Sequence, residues 1–295
     1  MVSLVQSTDL SFVLRRNLLF VHGKGGVGKT VVSQTIATAL SRQNLKTLWI
    51  TLEDPTCPMG ELRLLSPSLW HLNCGFLPAF EEYLTLKIGG GPMSRFFLQN
   101  KLIRYLAKAA PGIHELILLG KIWFERLHYS HLVIDLPSTG YSLAMFQSTQ
   151  NFSQLFQGGP LNQDAQAMLT TFKDPQTTGH LILALPEEMP LKEALELHGY
   201  LTPLFPDNPP AFLVNRVFPT EENHPKPILW TTPLATSMED YIHKRIWLED
   251  QNLKIWKDQN LKFGKLDFIP PQVKPNHSSG ILEVLIQQLH DRAYL

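Results

Sequence analysis

Short apolar runs recur along this chain, separated by longer stretches whose apolar residues return every third or fourth position. Asn17-Leu-Leu-Phe-Val21, Lys46-Thr-Leu-Trp-Ile-Thr-Leu52 and His131-Leu-Val-Ile-Asp135 are such runs, with the length and composition of strands buried on both faces of a parallel sheet. Elsewhere the period is helical: residues 30–40, 111–124, 236–262 and 281–290 each place apolar residues along one side of a helix. Residues 59–108 are read as mainly helical too, broken at Gly89-Gly-Gly-Pro92, with an amphipathic helix over 95–106. Strand and helix in alternation predict an α/β fold, a mostly parallel sheet wound with helices on both faces.

The first strand and first helix enclose Gly23-Lys-Gly-Gly-Val-Gly-Lys-Thr30. Strand, glycine-rich loop and helix together are the setting of a phosphate-binding P-loop. Backbone N–H groups close around an anion only where no Cβ intervenes, which gives Gly23, Gly25, Gly26 and Gly28 their use. The helix N-terminus adds partial positive charge and Lys29 a full one. Thr30 places a hydroxyl where it can ligate Mg2+. Residues 23–31, with Val27 and Val31 among them, are therefore the candidate cradle for a nucleoside triphosphate.

Two acids end strands beside that loop. Glu53-Asp54-Pro55 closes the second run, and an acid there points into the ligand crevice of a parallel sheet. Asp54 is the candidate to orient a water for attack on the γ-phosphate; a plain Asp-Pro turn is the alternative. Asp135 closes the third run, where a carboxylate would hold Mg2+ through water or through Thr30. Leu136-Pro-Ser-Thr-Gly140 follows with small residues, so the backbone can approach a phosphate and move when it leaves.

Composition narrows the classes. A chain with 44% hydrophobic and 18% charged residues forms a core. Lys+Arg 26 against Asp+Glu 26 leaves no net charge, so nucleic acid is not an expected partner. No apolar run reaches the ~18 residues of a membrane span, and the opening residues do not read as a signal peptide. Cys57 and Cys74 form no CxxC pair, offering neither a zinc site nor a disulfide framework. A cytoplasmic protein is expected.

The loop, with its early lysine Lys24, resembles the deviant Walker A motif of the ParA, MinD and ArsA group of ATPases. Asp135-Leu-Pro-Ser-Thr-Gly-Tyr-Ser-Leu143 resembles the D-T-A-P-T-G-H-T-L switch II of ArsA-type members. Pro111-Gly-Ile-His-Glu115 is similar to their P-G-I-D-E, and Asp54-Pro-Thr-Cys57 to their switch I, D-P-A-H. Phe172-Lys-Asp-Pro175, ahead of a strand at 181–185, matches F-x-D-P, and Leu185-Pro-Glu-Glu-Met-Pro190 resembles L-P-E-x-M-P. Phe212-Leu-Val-Asn215 resembles the V-V-N-Q strand, and Phe268-Ile-Pro-Pro-Gln272 stands where the family has its adenine-flanking loop.

The resemblance implies ATP or ADP with Mg2+, and a dimer in which Lys24 reaches the nucleotide of the other subunit. Lys24 would then stabilise transition-state charge only when that dimer is closed. It also implies that Asn215 recognises adenine, with Pro270 beside it, and that opening and closing of a homodimer, or a heterodimer with a related ATPase, controls a client protein. Cys57 and Tyr141 each replace a usual His. The stretch after Tyr141 is too short and polar for a groove that covers a transmembrane helix, and reads as helices capping the core. A spatial-positioning ATPase of the MinD/ParA kind and a non-hydrolysing nucleotide-gated scaffold stay open as alternatives. The expected organisation is a single P-loop domain over residues 1–295, with a reduced helical subdomain inserted from about 59–110 and 141–178.

Overall fold

The computed structural model describes residues 9–88, 112–155, 158–218, 235–269 and 279–295. Among the described residues, eight strands form one sheet: β1 (Leu18–Gly23), β2 (Thr47–Leu52), β3 (Leu62–Ser66), β4 (Leu69–Cys74), β5 (His131–Asp135), β6 (Thr178–Ala184), β7 (Ala211–Val217) and β8 (Phe263–Asp267). Their order is β3-β4-β2-β5-β1-β6-β7-β8, and every pairing is parallel except β3 with β4. Helices α1 (Leu10–Leu14), α2 (Lys29–Arg42), α3 (Phe76–Ile88), α4 (Ile113–Glu125), α5 (Thr139–Leu155), α6 (Pro160–Lys173), α7 (Glu188–Leu201), α8 (Ala235–Asp258) and α9 (Ser279–Asp291) cover both faces.

The apolar runs follow from that sandwiching. In β1, Leu18 and Phe20 enter one core while Leu19 and Val21 enter the other, so no position is left for a polar residue facing water. Val32, Ile36 and Leu40 of α2 share the second core with Leu285 and Leu289 of α9 and with α1. The first core is larger and gathers α3 to α8, with Phe20, Phe146 and Phe172 meeting edge to face at 5.1–6.0 Å. Each such fully buried side chain contributes about 1.5–3 kcal/mol relative to exposure. Helices α5 and α6 are part of this layer, through Met145, Phe146, Met168 and Phe172.

The expectation of a mainly helical stretch over 59–108 is corrected in its first part. Residues 62–66 and 69–74 are strands that widen the sheet, β4 lying parallel to β2 and β3 returning antiparallel along β4. The physical reason is that β4 buries two polar residues, His71 and Asn73, which break the apolar run. Both are satisfied internally: Thr51 Oγ1 lies 3.0 Å from His71 Nε2 and 3.4 Å from Asn73 Oδ1, so burial carries no desolvation penalty for missing partners. The expected helix at 95–106 and the break at 89–92 lie outside the described residues. Strand β8 was not anticipated, because it is an edge strand that buries only Gly264 and Leu266.

Candidate functional site

Helix α2 follows β1 on one face of the sheet, and α5 follows β5 on the other. Since β1 and β5 are neighbours, their carboxyl ends border the crevice where open parallel sheets take ligands. The loop after β1 fills one side of that crevice and Asp135, the last residue of β5, the other.

The loop's shape depends on two glycines. A Cβ on Gly23, at φ +145, would sit 2.5 Å from the Leu183 carbonyl oxygen of the paired strand. Gly28, at φ +94, starts α2, and a Cβ there would lie 2.6 Å from Asn215 Nδ2. A Cβ at Gly25 or Gly26 would meet nothing within 4 Å, which leaves the rim of the loop open to a ligand. Val27 anchors the loop in the core, whereas Val31 is exposed on the first turn of α2.

Lys29 folds back over this loop and donates hydrogen bonds to the carbonyls of Gly23 and Lys24, each at 2.9 Å. Burial lowers its pKa, and the nearby Asp135 charge partly opposes that shift. Thr30 donates its hydroxyl proton to Asp135 Oδ2 at 2.6 Å. Asp135 Oδ1 is buried without a partner, and burial raises the carboxyl pKa above its ordinary value against the effects of Thr30 and Lys29. A carboxylate oxygen left bare beside a hydroxyl whose proton is already committed is a hard oxygen pair, and suits a divalent cation such as Mg2+.

Asp54 stands at the crevice edge in a turn of its own. Its Oδ1 accepts from the Thr56 amide at 2.8 Å and the Thr56 hydroxyl at 2.7 Å, and these bonds hold its pKa down. Asn73 clamps the turn from β4, accepting from the Asp54 amide and donating to the carbonyls of Asp54 and Cys57 at 2.8–3.0 Å. Asn73 was missed from sequence; with His71 it is one of two polar residues that interrupt the apolar run of β4.

Asn215, in the carboxyl half of β7, does reach the loop: it is buried, and its Nδ2 donates to the Val27 carbonyl at 2.9 Å. In this arrangement its amide braces the P-loop from below. Lys24 is half-exposed and pairs at 2.5 Å with Glu193 of α7 in the same chain, whose other carboxylate oxygen is buried without a partner. Glu193 was likewise unforeseen. Pro270 lies outside the described residues.

Beneath the loop, His22 Nε2 lies 3.2 Å from His180 Nδ1, and His180 Nε2 lies 3.1 Å from the Phe172 carbonyl. The carbonyl can only accept, so the proton of His180 is inferred on Nε2 and that of His22 on Nε2. Burial pushes both imidazoles below their ordinary pKa, His180 to about 4. No described helix is long and apolar enough to cross a membrane.

Comparison with known proteins bears on the same segment. The ArsA ATPase family, described as anion-transporting ATPase, matches residues 16–60, from β1 through the loop and α2 to the Asp54 turn. The chain is similar to ATPase BagA of Mycobacterium tuberculosis, 28% identical over 201 residues that cover 61% of this chain and 59% of the relative. It is 26% identical over 242 residues to an ATPase ASNA1 homolog of Plasmodium berghei (68% and 61% covered). It is 23% identical over 155 residues to a putative arsenical pump-driving ATPase 2 of Aquifex aeolicus (48% and 52%). The chain thus spans less than two thirds of the length of these relatives. Glycine loop, lysine, hydroxyl and two acids that follow or end strands sit together on a mostly parallel, doubly wound sheet, and in this the chain is similar to the ArsA-type P-loop ATPases, whose family matches the part from β1 to the Asp54 turn.

Proposed function

We propose that this protein binds ATP in the loop of residues 23–31 and hydrolyses it with Mg2+, the cycle driving a dimer of ATPase subunits that controls a client protein. The main support is the convergence of Lys29, Thr30 and Asp135 at the loop, with the Thr30 hydroxyl 2.6 Å from one Asp135 oxygen and the other oxygen unpartnered. Lys29 would exchange the Gly23 and Lys24 carbonyls for phosphate oxygens, which accept more strongly from an ammonium. Thr30 and Asp135 would hold the cation, which when bound offsets phosphate charge. Asp54 would orient the attacking water through the oxygen that Thr56 does not use. Lys24 would leave Glu193 to reach the nucleotide of the second subunit, and Asn215 would recognise adenine from its place under the loop.

A second reading has its own support. With Oδ1 of Asp54 spent on Thr56, the turn is closed in the manner of a plain Asp-Pro turn, which favours a nucleotide-gated scaffold without turnover. Calorimetry and phosphate release separate the two. Lys29→Ala is expected to lose ATP binding by about 10-fold to 100-fold, the worth of one charged hydrogen-bond set. Asp54→Asn keeps an acceptor for Thr56 and is expected to bind ATP normally while turnover drops about 100-fold or more. Equal turnover in wild type and Asp54→Asn removes Asp54 from the chemistry; absence of turnover in both, with binding intact, leaves the scaffold.

A further inference from the structure

Where β2 ends, the backbone passes through Glu53 at φ +49, a left-handed conformation uncommon for a residue other than Gly, Asn or Asp. Such strain, about 1–3 kcal/mol, persists only where surroundings enforce it, and it concentrates at ligand clamps and switches. The enforcing contacts are visible. The Glu53 amide donates to the Cys74 carbonyl at 2.9 Å, at the end of β4. One carboxylate oxygen accepts from the amide of Phe76, the first residue of α3, at 3.3 Å. The other lies 3.4 Å from Nε2 of His114, in the first turn of α4. The His114 ring stacks on Phe76, centroids 4.7 Å and planes 8° apart.

One residue therefore ties the ends of two strands, through its backbone, to the starts of two helices, through its carboxylate, and its neighbour in sequence is Asp54. Helices α3 and α4, with α6, wall an apolar cavity of about 200 Å³ lined by Ala79, Leu116, Ile117, Trp123 and Met168 among others. We propose that Glu53 is a positioning residue that couples the Asp54 turn to α3 and α4, and so to the walls of this cavity. The proposal rests on the nucleotide reading above. Any swing of Asp54 toward a γ-phosphate rotates the backbone next to it. Relaxation of Glu53 out of its left-handed state carries its carboxylate off the Phe76 amide and His114. The link thus has two arrangements, made and broken, which is what a transmitted switch requires.

Hydrogen–deuterium exchange of the full chain with and without ATP and Mg2+ tests this. In wild type, nucleotide is expected to protect residues 23–30 and to change exchange in α3 and α4. Glu53→Gly relieves the φ strain and removes the carboxylate; Glu53→Gln keeps an acceptor for Phe76 but loses the charge facing His114. In Glu53→Gly the protection at 23–30 should remain with KM within about 3-fold of wild type, while the response of α3 and α4 disappears and kcat falls about 10-fold. Glu53→Gln should retain part of both. A wild-type-sized response of α3 and α4 in Glu53→Gly, or none in wild type despite protection at 23–30, overturns the coupling. No protection at 23–30 in wild type sinks the nucleotide reading instead.

Discussion

Asp135 is buried with one oxygen against the Thr30 hydroxyl and the other unpartnered. Its pKa is raised by burial, so the folded chain holds this proton more tightly than the unfolded chain. The group favours the fold most below its unfolded value of 3.8. That contribution is lost as pH rises through the raised folded value, and at neutral pH the ionised carboxylate is a cost. Asp135→Asn removes the charge yet can still accept from Thr30. The nucleotide-free variant is expected to be more stable than wild type at pH 7, on the order of 1 kcal/mol, as when a destabilised functional group is neutralised. The gap should narrow toward pH 4, and Mg2+-dependent turnover should drop about 100-fold or more. Paired denaturant titrations at the two pH values measure it; a variant less stable than wild type at pH 7 would mean that the bare oxygen has a compensating partner in solution.

At the scale of elements, the loop is braced by strands far from it in sequence. Asn215 lies 188 residues from Val27, whose carbonyl it holds, and Gly28 lets that amide approach. Gly28→Ala would carry a Cβ 2.6 Å from Asn215 Nδ2 at φ +94. Left-handed strain of about 1–2 kcal/mol and a weakened hydrogen bond of about 1 kcal/mol should together lower stability by roughly 2–3 kcal/mol. Gly25→Ala, whose Cβ meets nothing within 4 Å, should stay within about 0.5 kcal/mol. Denaturant midpoints check the contrast, and equal losses would remove the brace from the account. The same distances explain what was legible in sequence. Strand, loop and helix from β1 through α2 are local, and their glycine and apolar spacing states them outright. Strand β4 was hidden because His71 and Asn73 are satisfied only by Thr51 and the Asp54 turn. The Lys24–Glu193 pair spans 169 residues, and nothing local to α7 marks Glu193 as its partner.

For the whole molecule, the histidines set how the fold meets acid. His22, His180 and His198 are buried, in β1, β6 and α7, and burial lowers the pKa of each, His180 and His198 to about 4. Both nitrogens of His180 are engaged and its ring stacks on Phe205 at 4.0 Å, so no room exists for an imidazolium's solvent. The unfolded chain takes up these protons near 6.5, whereas the native chain refuses them until far lower pH. Stability from these groups is therefore complete above pH 6.5 and is lost as pH falls from 6.5 toward 4, at about 1.4 kcal/mol per pH unit for each proton. His180 alone would contribute roughly 3 kcal/mol across that window. His180→Gln keeps a donor for the Phe172 carbonyl but cannot titrate. Its stability should be lower than wild type at pH 7, through lost stacking, yet its slope between pH 6.5 and 4 should be shallower by one proton. Carboxyl groups with raised values, Asp135 and Glu249, act in the opposite sense in both proteins and cancel in the difference. An unchanged slope would mean that the layer beneath the P-loop opens to water before the fold gives way, and the histidine pair would then report loosening of the nucleotide loop rather than global unfolding.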